Sequence, residues 1–368
     1  MELFLNITSL VLSFFVTILA IPPILRVAKA KKLFDPVNER KVHTSNIPPF
    51  GGVAIFIGFI LSCLISSNEC SFVPLKYIVA AAILVFFIGL KDDLIDIPAW
   101  KKLVVQFFAA LILIIFGNIH FTTLHGMLGI YEVSEVTGML LSLILILALM
   151  NAFNLIDGID GLASGLAMVA ATVFGVWFYL SGHFQYAIIA FALAGSLAGF
   201  FIFNVFGGRK KLFMGDTGSL LVGMVISALV IQFNEFNVVS LTPFAIVSSP
   251  VVSFAIVVVP LVDMIRVMSI RLLKGRSPFA ADKNHIHHVM LAFTPNHLHV
   301  TLIITGINLI FIGFAFILNG STLNINIQFL LLFVAVVVTS LILPQIIRYR
   351  TAKRQKKEPI REYVVTPQ

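Results

Sequence analysis

Long apolar stretches separated by short polar ones run through almost the whole chain. They lie near residues 3–23, 50–68, 75–90, 103–119, 138–153, 162–180, 184–204, 218–233, 242–262, 300–318 and 324–346. Most reach the roughly 17–25 residues that a helix needs to cross the hydrocarbon core of a bilayer; 75–90 and 138–153, like 218–233, are short. The pattern predicts an all-α polytopic integral membrane protein with eleven transmembrane helices.

Alternating the side of each connection tests that count. One face then receives residues 24–49, 91–102, 154–161, 205–217, 263–299 and the tail 347–368. These segments hold 24 of the 25 Lys and Arg, and only Lys76 falls on the other face. Lys and Arg accumulate in cytoplasmic loops, so the N-terminus is expected outside and the C-terminus in the cytoplasm. A miscounted pair of spans would have mixed the charges. The expected organisation is one transmembrane domain over 1–346 and a basic tail over 347–368, expected to lie at anionic lipid headgroups.

Composition agrees with this class. Hydrophobic residues make up 59% of the 368 and charged residues 11%, where a soluble domain carries about a quarter; mean hydropathy is +1.03. Two cysteines, Cys63 and Cys70, are too few for a disulfide framework or a zinc site of their own and are read as packing residues. No basic stretch precedes the first apolar run, so a cleaved signal peptide is not expected.

The acids carry the chemistry. All nine Asp lie in or beside the segments assigned to the cytoplasm, whereas the opposite face has Glu but no Asp. Aspartates gathered with basic residues on one face are what a site for Mg²⁺ and phosphate needs. The densest stretch is Asn151-Ala-Phe-Asn154-Leu-Ile-Asp157-Gly-Ile-Asp160-Gly161, set between two apolar runs. Such groups are costly in lipid and mark an interior or a site, with helix capping as the structural alternative. Lys91-Asp92-Asp93 follows another apolar run, and adjacent carboxylates there call for a cation; Lys102 and Gln106 follow on the next helix. Phe213-Met-Gly-Asp216-Thr-Gly-Ser219 places an acid between glycines where a helix begins. A helix N-terminus favours phosphate, with a simple N-cap as the structural alternative for Asp216. An intramembrane aspartyl protease would want that Asp within a helix facing another, not beside a basic loop.

Two more segments are basic. The first holds Arg40-Lys41-Val-His43, as open to positive-inside anchoring as to ligand binding. The longest, 263–299, holds Arg276, Lys283 and His285-Ile-His287-His288. Clustered histidines raise zinc, but no Cys is near, and contacts to sugar hydroxyls or diphosphate oxygens are the preferred reading.

Together, Lys91-Asp92-Asp93, the Asn151–Leu162 stretch, Phe213–Ser219 and His285–His288 resemble, in order and placement, the polyprenyl-phosphate N-acetylhexosamine-1-phosphate transferases. The likeness covers roughly residues 20–345. It implies transfer of a sugar-1-phosphate from a UDP-N-acetylhexosamine to a polyprenyl (undecaprenyl) phosphate with release of UMP, at the cytoplasmic face of a bacterial inner membrane. This would be the first membrane step of a cell-envelope polysaccharide such as O-antigen or teichoic acid. The resemblance implies Asp216 as a Mg²⁺ ligand with Asn154 as a second, Mn²⁺ being a substitute metal. It assigns Asp92, Asp93, Asp157 and Asp160 to the catalytic pocket, and substrate binding to His43, Lys102, Asn151, Arg276, His285, His287 and His288. The His-Ile-His-His form resembles the GlcNAc-type branch, whereas the muramoyl-pentapeptide branch reads three consecutive His and stands as the alternative. The expected partners are the two substrates and the lipid bilayer, with a second copy of the chain left open and nucleic acid excluded.

The chain shows no Gly-Lys-Thr/Ser phosphate loop, in keeping with a transfer that exchanges one diphosphate bond for another. A secondary transporter, the reading from another class, would place its acids near mid-membrane and show inverted repeats. A CDP-alcohol phosphotransferase would carry Asp-Gly-x-x-Ala-Arg, but Asp160-Gly161 is followed by Leu-Ala-Ser-Gly.

Overall fold

The computed structural model describes residues 1–34, 47–67, 73–238, 243–275, 285–291 and 294–357. Among them are twelve α-helices and one small hairpin: α1 (Glu2–Ala30), α2 (Gly51–Ser66), α3 (Val73–Leu94), α4 (Ala99–Leu111, ending in a π-turn over Ile112–Phe116), β1 (Thr123–Met127), β2 (Ile130–Glu132), α5 (Glu135–Ile156), α6 (Leu162–Leu180), α7 (Phe184–Phe206), α8 (Gly215–Phe236), α9 (Ser249–Leu273), α10 (Ile286–Leu291), α11 (His297–Asn319) and α12 (Ile325–Lys357). Ten are long and apolar enough to cross a membrane. The shorter α2, of 16 residues, stands at the remaining predicted span.

The bundle is built around α8. Every residue from Thr217 to Asn234 is buried, as expected for a helix apolar on all sides, and α2, α3, α5, α6, α7 and α9 all pack on it. Small residues permit the close approach: a Cβ added to Gly52 would strike the backbone of Gly218, where α2 crosses α8. At the periphery the polarity is inverted. The buried stripe of α1 begins with Asn6, Ser9, Ser13 and Thr17, with the Ser62 hydroxyl donating to the Ser9 carbonyl at 2.5 Å, while Phe4, Phe15 and Leu19 face outward. Cys63 is buried and free; Cys70 lies outside the described residues.

The hairpin has no counterpart among the sequence expectations. It lies at the end of the bundle opposite the start of α8. Thr122, just before β1, donates its N–H (2.9 Å) and hydroxyl (2.7 Å) to the Glu235 carboxylate, and the Leu128 N–H donates to Asn326 at the start of α12. Below it, α5, α8 and α9 leave an apolar cleft of about 360 Å³ lined by Ile144, Leu145, Ala148, Val257 and Leu261.

Several predicted boundaries move, mostly so that helix replaces loop. α3 continues through Lys91, Asp92 and Asp93, α5 takes in Asn154, and α9 runs from 249 to 273 instead of 242 to 262. A helix satisfies its own backbone groups where water is scarce, so the polar residues at a bundle edge stay helical although the apolar run has ended. For α9, Pro250 in the first turn sets the start. α12 passes residue 346 without a break and ends at Lys357, so the first part of the expected tail is a helical extension.

Candidate active site

The acidic residues meet where α3, α4, α5 and α8 converge. Asp93 accepts the N–H of Asp216 (2.7 Å), the N–H of Thr217 (3.1 Å) and the Thr217 hydroxyl (2.6 Å). It therefore caps α8 from a neighbouring helix, using the free N–H groups every helix start presents. Lys102, in the first turns of α4, bridges Asp92 (2.8 Å) and Asp216 (2.6 Å), and the Ile97 N–H holds the other oxygen of Asp92 at 2.7 Å. The adjacent carboxylates thus separate in role: Asp93 fixes the helix that carries Asp216, and Asp92 faces Asp216 across an ammonium.

The last turns of α5 supply the third side. Asn154 donates to Ser219 (3.0 Å) and lies beside the Asp216 carboxylate. Asn151 donates to Gln106 (2.9 Å) and to the Leu147 carbonyl (2.7 Å), which joins α5 to α4. The helix then ends on Asp157, whose carboxyl has no hydrogen bond or ion pair among the described residues. Burial, reinforced by Asp216, Asp93 and Asp160, pushes it up to about 8.

Asp160 is in the opposite situation. It accepts Lys211 at 2.5 Å and His297 at 2.7 Å, and the Thr301 hydroxyl donates to its carbonyl at 2.8 Å. Burial acts to raise the acid, but the hydrogen bonds from His297 and Lys211 outweigh it and hold Asp160 below the usual carboxylate range. Asp160 thereby ties the turn after α5 to α11 and to the segment before α8. Asn204 clasps the same turn, accepting from the Gly161 N–H (2.6 Å) and donating to the Leu212 carbonyl (2.9 Å).

The histidine segment meets this turn from the other side. The His287 ring lies over Gly158 so closely that an added Cβ would collide with Nε2. Its centroid lies 4.3 Å from that of the tilted His288 ring. His287 is 1% exposed, and neither ring nitrogen has a hydrogen-bond partner among the described residues. Burial, then His288, pushes the ring down to about 3. A neutral imidazole therefore faces the acidic pocket. His285 differs, because its Nδ1 meets Asp263 at 2.8 Å and its Nε2 meets Arg271 at 3.4 Å. The remaining basic candidates, His43, Arg276 and Lys283, lie outside the described residues.

Sequence reasoning missed Lys211, His297, Thr217, Ser219 and Asp263 as parts of the site. Lys211 and Asp263 stood in segments already marked as basic or acidic; the pairing of His297 with Asp160, 137 positions apart, had no signal in the sequence.

The donors suit a hard cation. The side chains around Asp216 offer carboxylate and amide oxygens, and the Asp157 carboxyl makes no other bond among the described residues. No group of three His, Cys, Asp or Glu among those residues is gathered closely enough to hold a metal by itself. Mg²⁺ needs no such cage, since it binds through one or two carboxylates and keeps waters and substrate phosphates as its other ligands. The apolar cleft reaches Ala148 of α5, about one turn before Asn151, and Leu261 of α9, two residues before Asp263; none of Asp92, Asp157 and Asp216 lines it.

Comparison with known proteins agrees with this arrangement. Residues 75–234 match the model of glycosyl transferase family 4. The chain is 33% identical over 293 residues to the undecaprenyl-phosphate alpha-N-acetylglucosaminyl 1-phosphate transferase of Escherichia coli (strain K12), covering 78% of this chain and 77% of that protein. It is 31% identical over 292 residues to the decaprenyl-phosphate N-acetylglucosaminephosphotransferase of Mycobacterium leprae (strain TN), covering 73% and 72%. Motifs, geometry and similarity coincide, and the chain belongs to the family of polyprenyl-phosphate N-acetylhexosamine-1-phosphate transferases.

Proposed function

We propose that the protein transfers GlcNAc-1-phosphate, or a closely related N-acetylhexosamine-1-phosphate, from a UDP-sugar to undecaprenyl phosphate and releases UMP. The reaction takes place at the cytoplasmic face of a bacterial inner membrane. The observation that carries the reading is the acidic pocket of Asp92, Asp157 and Asp216, with Lys102 between two of its carboxylates, within a bundle of membrane-length apolar helices, where a lipid phosphate and a water-soluble nucleotide can meet. The names of the similar proteins support a polyprenyl phosphate acceptor and a GlcNAc-phosphate group.

An oxygen of the lipid phosphate attacks the sugar-bearing phosphorus of the donor; the new diphosphate bond forms as the bond to UMP breaks. Positioning and charge compensation dominate such transfers. The second pKa of a phosphate monoester is about 6, so the acceptor needs little deprotonation. Lys102 offsets the charge of the meeting phosphates, and Asp92 orients the acceptor or takes a residual proton. Asp93 has both oxygens occupied by the start of α8, which favours direct attack over a phospho-Asp93 intermediate. Asp216, Asn154 and Asp157 would hold Mg²⁺, which when bound neutralises diphosphate charge.

The test is an assay of the purified full-length chain with undecaprenyl phosphate and a panel of UDP-sugars. Acceptor-dependent UMP release, with UDP-GlcNAc or a close relative preferred, is expected. Preference for the muramoyl-pentapeptide nucleotide, or no lipid-linked product from any donor, would overturn the reading.

A further inference from the structure

A second polar network lies on α9, beyond the acidic pocket. Asp263, 4% exposed, accepts from His285 Nδ1 (2.8 Å), from the Ile286 N–H (3.0 Å) and from Arg266 (2.8 Å). Arg271 approaches His285 Nε2 at 3.4 Å. Arginine only donates and a carboxylate only accepts, so the two partners place the His285 proton on Nδ1 and leave neither nitrogen for a substrate. The bond from Ile286 sets the first residue of α10, and His287 follows it directly onto Gly158.

We propose that Asp263 is a positioning residue for the histidine segment: through His285 and the Ile286 N–H it seats α10 so that His287 rests on Gly158 beside Asp157. His285 is then an anchor, and His287 is the member of the run that meets the turn beside the pocket. The consequence for catalysis rests on the proposed reading of this segment as the donor-binding one.

Hydrogen–deuterium exchange and steady-state kinetics on the full-length wild type, Asp263→Asn and His285→Ala separate the two parts. In Asp263→Asn, peptides covering 285–291 should exchange about tenfold faster, the loss of one charge-assisted hydrogen bond, while those of α8 remain unchanged. The KM for the UDP-sugar should rise about tenfold, with kcat and the KM for the lipid acceptor altered less than about twofold. His285→Ala should reproduce both effects, and the double variant should be no worse than Asp263→Asn alone, because the residues act as one unit. Unchanged exchange at 285–291, or additive effects in the double variant, would overturn the proposal. Faster exchange with an unchanged donor KM would uphold the positioning role and remove donor binding from this segment. If Asp263→Asn does not fold, His285→Ala carries the same exchange test.

Discussion

Two aspartates three residues apart, Asp157 and Asp160, have opposite surroundings. Asp160 is held by Lys211 and His297, while the charges that act on Asp157 are those of other acids. The sign of the pH effect follows. Asp157, raised to about 8, favours the folded state when protonated; its contribution is fully present below the ordinary carboxylate range and is lost as pH rises through about 8. In EDTA, Asp157→Asn should therefore match the wild type in Tm near about pH 4 and exceed it increasingly towards about pH 8. A difference in Tm that does not vary with pH would contradict this. Asp216 is expected to behave differently. Asp216→Asn should insert and fold but lose activity by on the order of 10²-fold or more, and wild-type turnover should stop in excess EDTA. Full activity in either case would remove the metal from the mechanism.

At the scale of elements, the start of α8 and the end of α5 carry the site because each presents polar backbone at a helix end. Asp93 fills the start of α8 from α3, and Asn151 couples α5 to α4. On the proposed reading, the cleft between α5 and α9 takes the polyprenyl chain of the acceptor. Ala148→Trp should raise the KM for the lipid acceptor by roughly tenfold, since added bulk in a packed cleft displaces its occupant, with the donor KM unchanged. Leu19→Trp, on an outward face of α1, is the control. Equal behaviour of the two variants would show that the cleft does not take the acceptor.

For the whole molecule, the aspartates and nearly all Lys and Arg fall on one side of the predicted spans. The Lys29 ammonium at the end of α1 donates to the Arg209 carbonyl at 2.9 Å, so two basic segments meet at the same end of the bundle. Single cysteines at positions 97 and 210, in a background without Cys63 and Cys70, should resist an impermeant thiol reagent in intact cells and react in inverted vesicles. Labelling from outside would require the topology to be redrawn.

The hydrophobic pattern by itself determined the all-helical membrane class, because spanning segments must be long, apolar and internally hydrogen-bonded. It also located the acidic motifs, because polar groups stand out against apolar runs. Helix ends escaped it: Lys91–Asp93 and Asn154 are polar yet helical. Only the tertiary structure decided that α8 is central and that Asp93 caps it. It alone separated the anchored Asp160 and His285 from Asp157 and His287, which have no hydrogen-bond partner among the described residues. Those distinctions depend on which distant residues arrive beside each group. His297 comes from α11 and Asp263 from α9, and spacing along the chain carries no record of such meetings.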